Sequence, residues 1–133
     1  MNGVFLDTVG LLGLWDEDDQ WHRQASVVFD EIERRADRLF TTSYVIAECA
    51  NATSRWPGRD CVETLVQTLE ATGGLIFPSD SDWHEAWIKY VSGHPGTPGM
   101  VDELSFAVMR RLGLRQAFTN DGHFSGAGFE VLF

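Results

Sequence analysis

Asp7, Glu48, Asp102 and Asp121 are the residues of this sequence on which chemistry could be built. Asp7 closes the apolar run Val4-Phe5-Leu6, and Asp121 comes just after the run Ala117-Phe118-Thr119. Asp102 falls in the first turn of a predicted helix, where the helix dipole favours an anion. Glu48 lies on another predicted helix, about one turn in from Ser43. Each acid has an ordinary explanation by itself: a helix cap or turn at Asp7, a first-turn charge at Asp102, a turn at Asp121-Gly122, a solvated position at Glu48. Gathered in one crevice, however, they repel one another unless cations or protons neutralise them. A set of oxygen ligands without Cys or His suits Mg²⁺ or Mn²⁺ rather than zinc. Such ions position phosphates and activate water.

The elements that must carry these acids follow from the pattern of the chain. Short β-branched or aromatic runs at 4–6, 39–41, 75–77, 117–119 and 129–133 read as strands. Amphipathic stretches of helical length separate them, near 9–15, 20–37, 44–55, 59–72, 80–92 and 101–112. Alternation of this kind predicts an α/β fold, a three-layer sandwich with a mainly parallel sheet of four to five strands flanked by helices. In such sheets ligands bind beyond the carboxyl ends of the strands, where all four acids are expected. Val101, Leu104, Val108 and Leu112 make one apolar stripe, and Phe106, Ala107 and Met109 extend it, so the helix behind Asp102 is expected to be buried on much of its girth. The segment Gly93-His94-Pro95-Gly96-Thr97-Pro98-Gly99 before it reads as a loop.

Composition narrows the field. A chain of 133 residues fits one domain spanning 1–133 and large enough to fold without a metal or disulfide staple. No apolar run is long enough to cross a membrane, the N-terminus lacks the pattern of a signal peptide, and two cysteines make no disulfide framework, so a cytoplasmic protein is expected. The net charge of −10 disfavours nucleic acid as a partner without excluding it. Nine of the ten basic residues are Arg, the better fork for phosphate, and acids that hold a divalent cation present a locally positive face.

Four blocks of the sequence together resemble a known family. They are Phe5-Leu6-Asp7-Thr8, Thr42-Ser43-Tyr44-Val45-Ile46-Ala47-Glu48, Val101 to Met109 around Asp102, and Ala117-Phe118-Thr119-Asn120-Asp121-Gly122-His123-Phe124. In this order they are similar to the motif blocks of PIN-domain proteins, closest to the VapC-type toxins of bacterial toxin–antitoxin pairs. The resemblance covers nearly the whole chain and includes the closing Ala127-Gly128-Phe129. It implies a flavodoxin-like build and a Mg²⁺- or Mn²⁺-dependent ribonuclease. Asp7, Glu48, Asp102 and Asp121 would then be the catalytic, metal-binding acids, with Thr8 and Asn120 orienting carboxylates or waters. The implied chemistry is attack of an activated water on a phosphodiester, leaving a 5′-phosphate and a 3′-hydroxyl. The implied partners are an RNA substrate, a small antitoxin protein and a second copy of the chain. Val9, Gly99 and Val101 depart from the polar residues common at those places in the family. Those departures and the acidic charge motivate the alternative of a weakened module that binds RNA or protein without cutting.

Two rival enzyme classes fit less well. An aspartyl-nucleophile phosphatase needs a second Asp two positions after the first, where Val9 stands. A receiver domain needs a strand-end Lys, whereas the only lysine, Lys89, falls inside a predicted helix. Other conspicuous residues have structural expectations. Asp16-Glu17-Asp18-Asp19 reads as a solvated loop, Cys49 and Cys61 as buried thiols, and Arg34, Arg35 and Arg38 as cations at a helix end. Arg110, Arg111 and Arg115 read as ion-pair partners, and Trp56, Trp83 and Trp87 as packed rings. Trp15 and Trp21 suit the apolar antitoxin groove and dimer surface that the resemblance implies for the early helices. His123 is expected to make a structural hydrogen bond near Asp121.

Overall fold

Val4, Phe5 and Leu6 are wholly buried, as a strand covered on both faces by helices must be. They belong to β1 (Gly3–Leu6), the central strand of a five-stranded sheet in a computed structural model that describes residues 2–133. Around it lie β2 (Arg38–Thr42), β3 (Leu75–Ile76), β4 (Gln116–Phe118) and β5 (Glu130–Val131), in the order β3-β2-β1-β4-β5 and all parallel. The register sets Phe5 beside Phe40 on one side and Leu6 beside Phe118 on the other.

The helices are α1 (Thr8–Trp15), α2 (His22–Arg34), α3 (Ser43–Ala52), α4 (Arg59–Thr72), α5 (Asp80–Val91), α6 (Met100–Leu112) and α7 (Gly122–Gly126). The chain steps outward from β1 to β2 to β3, then returns across the sheet to β4 on the far side of β1. Right-handed crossovers therefore put the helices of the outward steps on one face and those of the return on the other. The packing agrees, with α1 to α4 forming one group and α5 to α7 a second. The β1/β4 boundary is the point where the strand order reverses. Crevices open at such points.

Helix α6 is buried from Glu103 through Met109, between the sheet and α5, as its apolar girth predicts. Asp82 of α5, only 3% exposed, accepts a forked pair of bonds from Arg111 of α6, with Nη2 at 2.7 Å. The same Asp82 completes a capping box with Ser79, so one carboxylate both starts α5 and fastens it to α6. Glycines C-cap α4 and α6 in the left-handed conformation, at Gly73 (φ 75°) and Gly113 (φ 71°).

The predicted elements are present, with three differences. The fifth strand is shorter than expected, because Gly128 turns with φ 97° and only Glu130 and Val131 pair. Residues 122–126 form the short helix α7 rather than a turn, started by the Asp121 side chain accepting from the His123 amide. Trp83 and Trp87, expected to pack inside, are instead 38% and 45% exposed and stack on each other with centroids 6.2 Å apart. Tyr44 and Tyr90 extend that stack at either end. Spacing by four placed the two tryptophans on one helix face correctly, but α5 buries its Asp82–Ala86 face instead.

Gly10 lets α1 sit directly on β4: a Cβ there would collide with the Phe118 carbonyl. Backbone cannot swing aside as a side chain can, so Gly10→Ala is expected to cost roughly 2–3 kcal/mol. Urea unfolding measures it, and a loss below the usual Gly-to-Ala scatter would contradict the close approach.

Candidate metal centre

The end of β1 delivers the first acid. Asp7 is the N-cap residue of α1, yet its side chain makes no capping bond. Its Oδ2 instead accepts a buried hydrogen bond of 2.8 Å from the Thr119 hydroxyl, at the end of neighbouring β4. The same Thr119 oxygen accepts from the amide of Asp121 at 3.1 Å. One threonine thus ties the acid of β1 to the acid after β4. Thr41 adds a bond of 2.6 Å from its hydroxyl to the Leu6 carbonyl, fixing the strand end just before Asp7.

The other two acids arrive on helices. Glu48 of α3 accepts from the Thr8 hydroxyl at 2.5 Å, which joins α3 to the start of α1. Asp102 stands in the first turn of α6, whose N-cap Gly99 offers no side-chain bond. His123 Nδ1 lies 3.5 Å from a carboxylate oxygen of Asp102 and 3.5 Å from one of Asp121.

Charge shows how closely the four acids approach. Asp7 is pushed up to about 7, first by burial, against the Thr119 bond, with the charges of Asp102 and Asp121 adding to the rise. Asp102 is pushed up to about 6 by burial, then by Asp121 and, more weakly, Glu48, with His123 opposing. The buried Cys49 thiol is driven to about 12 by burial, Asp7 and Glu48. All four carboxylates therefore share one electrostatic neighbourhood. None of them forms a salt bridge with Arg or Lys among the described residues. Crowded anions without an Arg or Lys partner among the described residues, on oxygen donors held by hydroxyls, fit a divalent metal ion.

The tightest set of ligand atoms is Asp102, Asp121 and His123, all within 4.8 Å of one another. Asp7 and Glu48 fall outside that set and border it. Thr8 touches a carboxylate as the resemblance implies, whereas Asn120 makes no side-chain hydrogen bond among the described residues. The orienting partner that sequence reasoning missed is Thr119. Its only signal was position, a hydroxyl at the last residue of the predicted strand 117–119. Cys49 is buried as expected, while Cys61 is only half-buried. Arg110 and Arg111 pair with Glu85 and Asp82.

Asp7 binds its proton more tightly in the folded chain than at its ordinary value of 3.8, so the metal-free protein loses stability as pH rises from there through about 7. Asp7→Asn keeps an acceptor for Thr119 and removes that loss. Metal-free, the variant is expected to exceed the parent by a few kcal/mol at about pH 8, a gain that vanishes near pH 4. Denaturation in chelator at both pH values checks this, and a gain independent of pH would contradict it.

No family model matches the chain. It is 28% identical over 127 residues to the 23S rRNA-specific endonuclease VapC20 of Mycobacterium tuberculosis, in strains CDC 1551 / Oshkosh and ATCC 25618 / H37Rv, with 95% of each chain covered. The crystal structure of that VapC20, described as a sarcin-ricin loop cleaving toxin, matches with a TM-score of 0.78 at 25% identity over 95% of both chains. FitAB bound to a DNA fragment matches at TM-score 0.70 and 16% identity, over 96% of this chain and 92% of that one. FitAcB from Neisseria gonorrhoeae matches at 0.64 and 15%, over 98% and 96%. At those two identities the likeness is one of fold. With the motif blocks in order, a parallel sheet that reverses beside Asp7 and a VapC toxin matched almost end to end at 28% identity, the chain is similar in sequence and fold to the VapC-type PIN-domain toxins.

Proposed function

We propose that this protein is a Mg²⁺- or Mn²⁺-dependent ribonuclease, the toxin of a type II toxin–antitoxin pair, acting in the cytoplasm. The observation that carries the reading is the shared field of Asp7, Glu48, Asp102 and Asp121, which no Arg or Lys among the described residues pairs with. These four are the proposed metal-binding and catalytic acids. A divalent cation bound there would supply a water that is nucleophilic near neutral pH and would offset the charge that builds on a phosphodiester under attack. Thr119 and Thr8 hold Asp7 and Glu48 against rotation, so the carboxylates meet their ligand already ordered. Because VapC20 acts on 23S rRNA, ribosomal RNA is the substrate to try first.

Two surfaces support the proposed protein partners. A groove of about 390 Å³ lined by Leu11, Trp15, Phe29 and Leu65 and bordered by Glu33 and Asp60 suits an antitoxin segment with apolar and basic residues. Trp15 lines it; Trp21, 39% exposed, does not. The ring stack of Tyr44, Trp83, Trp87 and Tyr90 suits a second copy. Two α5 helices laid antiparallel would set the Asp80 end of one against the Lys89 end of the other.

Asp7→Asn and Asp121→Asn are each expected to reduce cleavage of a 23S rRNA fragment by ~10²-fold or more and to abolish toxicity on expression. Strong cleavage by both variants would remove the assigned site, and metal binding without cleavage by the parent would favour the non-cutting module. Light scattering should show a dimer that Trp87→Asp converts to monomer; an unchanged mass would exclude the ring stack as the interface.

A further inference from the structure

His123, expected from the sequence to make a structural hydrogen bond, stands at the acid cluster outside the proposed ligand set. Its Nε2 lies 3.2 Å from the carbonyl oxygen of Gly96, in the loop before α6. A carbonyl only accepts, so Nε2 carries the hydrogen, and the neutral ring presents the Nδ1 lone pair on its other side. That side faces Asp102 Oδ2 and Asp121 Oδ1, each at 3.5 Å. A histidine that binds a metal through one nitrogen commonly donates its other N–H to a backbone carbonyl, which fixes both tautomer and ring orientation.

The spacing suits a shared ion. Two ligands ~2.1 Å from one cation stand about 3.0 Å apart at a right angle and about 3.4 Å apart at the tetrahedral angle. The two histidine–carboxylate separations need only a few tenths of an ångström to close on it, and the two carboxylates lie within 4.8 Å of each other. The loop that supplies the Gly96 carbonyl is itself braced: the Thr97 hydroxyl accepts from the His94 amide at 3.2 Å and donates to the His94 carbonyl at 2.8 Å. Asp121 is held by capping α7, on which His123 is the second residue. The three donors thus come from two separately anchored segments, α6 and the start of α7.

We infer that His123 Nδ1 is a direct ligand of the divalent cation, bound together with Asp102 and Asp121. This rests on the metal-dependent reading above and adds to it a nitrogen donor and a preference. An imidazole in the set favours Mn²⁺ and later first-row ions over Mg²⁺. Loss of the nitrogen should therefore weaken Mn²⁺ binding by ~10-fold or more while leaving Mg²⁺ binding nearly unchanged.

Pulsed electron paramagnetic resonance on the Mn²⁺-loaded protein tests it without reference to activity. The expected result is modulation from a directly bound ¹⁴N nucleus, replaced by the ¹⁵N pattern when the protein is grown on ¹⁵N-histidine and absent in His123→Gln. Should His123→Gln fail to fold, His22→Gln, His84→Gln and His94→Gln must each retain the signal, which assigns it by elimination. Mn²⁺ bound with no histidine modulation overturns the ligand and leaves the nuclease reading standing. No Mn²⁺ bound at millimolar concentration overturns both.

Discussion

The arrangement depends on a carboxylate buried where it cannot comfortably be charged. Asp7 is 3% exposed at the end of the central strand, facing the fields of Asp102 and Asp121. Desolvation and like charge both act against its ionised form. A neutral donor, the Thr119 hydroxyl, holds it in place without cancelling its charge. A buried Arg at that point would have neutralised the acid and removed its affinity for anything else. The site therefore keeps a demand for positive charge that a bound cation could meet.

Strand order determines that the demand is concentrated. Because the chain leaves β1 toward β2 and comes back on the opposite side at β4, the loops after β1 and β4 diverge and leave a gap. Asp7 and Thr119 flank this gap from adjacent strands, and Asp121 follows two residues later. The return crossover through α5 and α6 brings Asp102 to the same edge, and α3 brings Glu48 within reach of Thr8. The forked bond from Arg111 to Asp82 secures that crossover by fixing α5 on α6. Parts far from the acids thereby control their separation.

The surface has a different logic. With a net charge of −10, contacts with other molecules cannot rely on a broad basic face. Of the arginines, Arg34, Arg35, Arg110 and Arg111 are committed to ion pairs within the chain. What remains is aromatic and apolar: the stack from Tyr44 to Tyr90 and the groove beside Trp15. Exposed rings in a continuous row cost solvation in isolation, so they mark surfaces that a partner would cover.

The sequence by itself determined the layered α/β fold and the strand ends at which Asp7 and Asp121 stand, since apolar runs and amphipathic periods are local properties of a chain. It also put Glu48 and Asp102 on helices beside the sheet. Only the tertiary structure decided which hydroxyls hold the acids, because the Thr119–Asp7 bond spans 112 positions and depends on β1 lying against β4. It decided as well that Trp83 and Trp87 face outward. Periodicity gives the face two residues share but not which face of a helix meets a neighbour, and on α5 the ion pair through Asp82 made that choice. The aim of His123 was likewise a tertiary matter: the carbonyl that orients its ring lies 27 residues away, on a loop whose path no local pattern specifies.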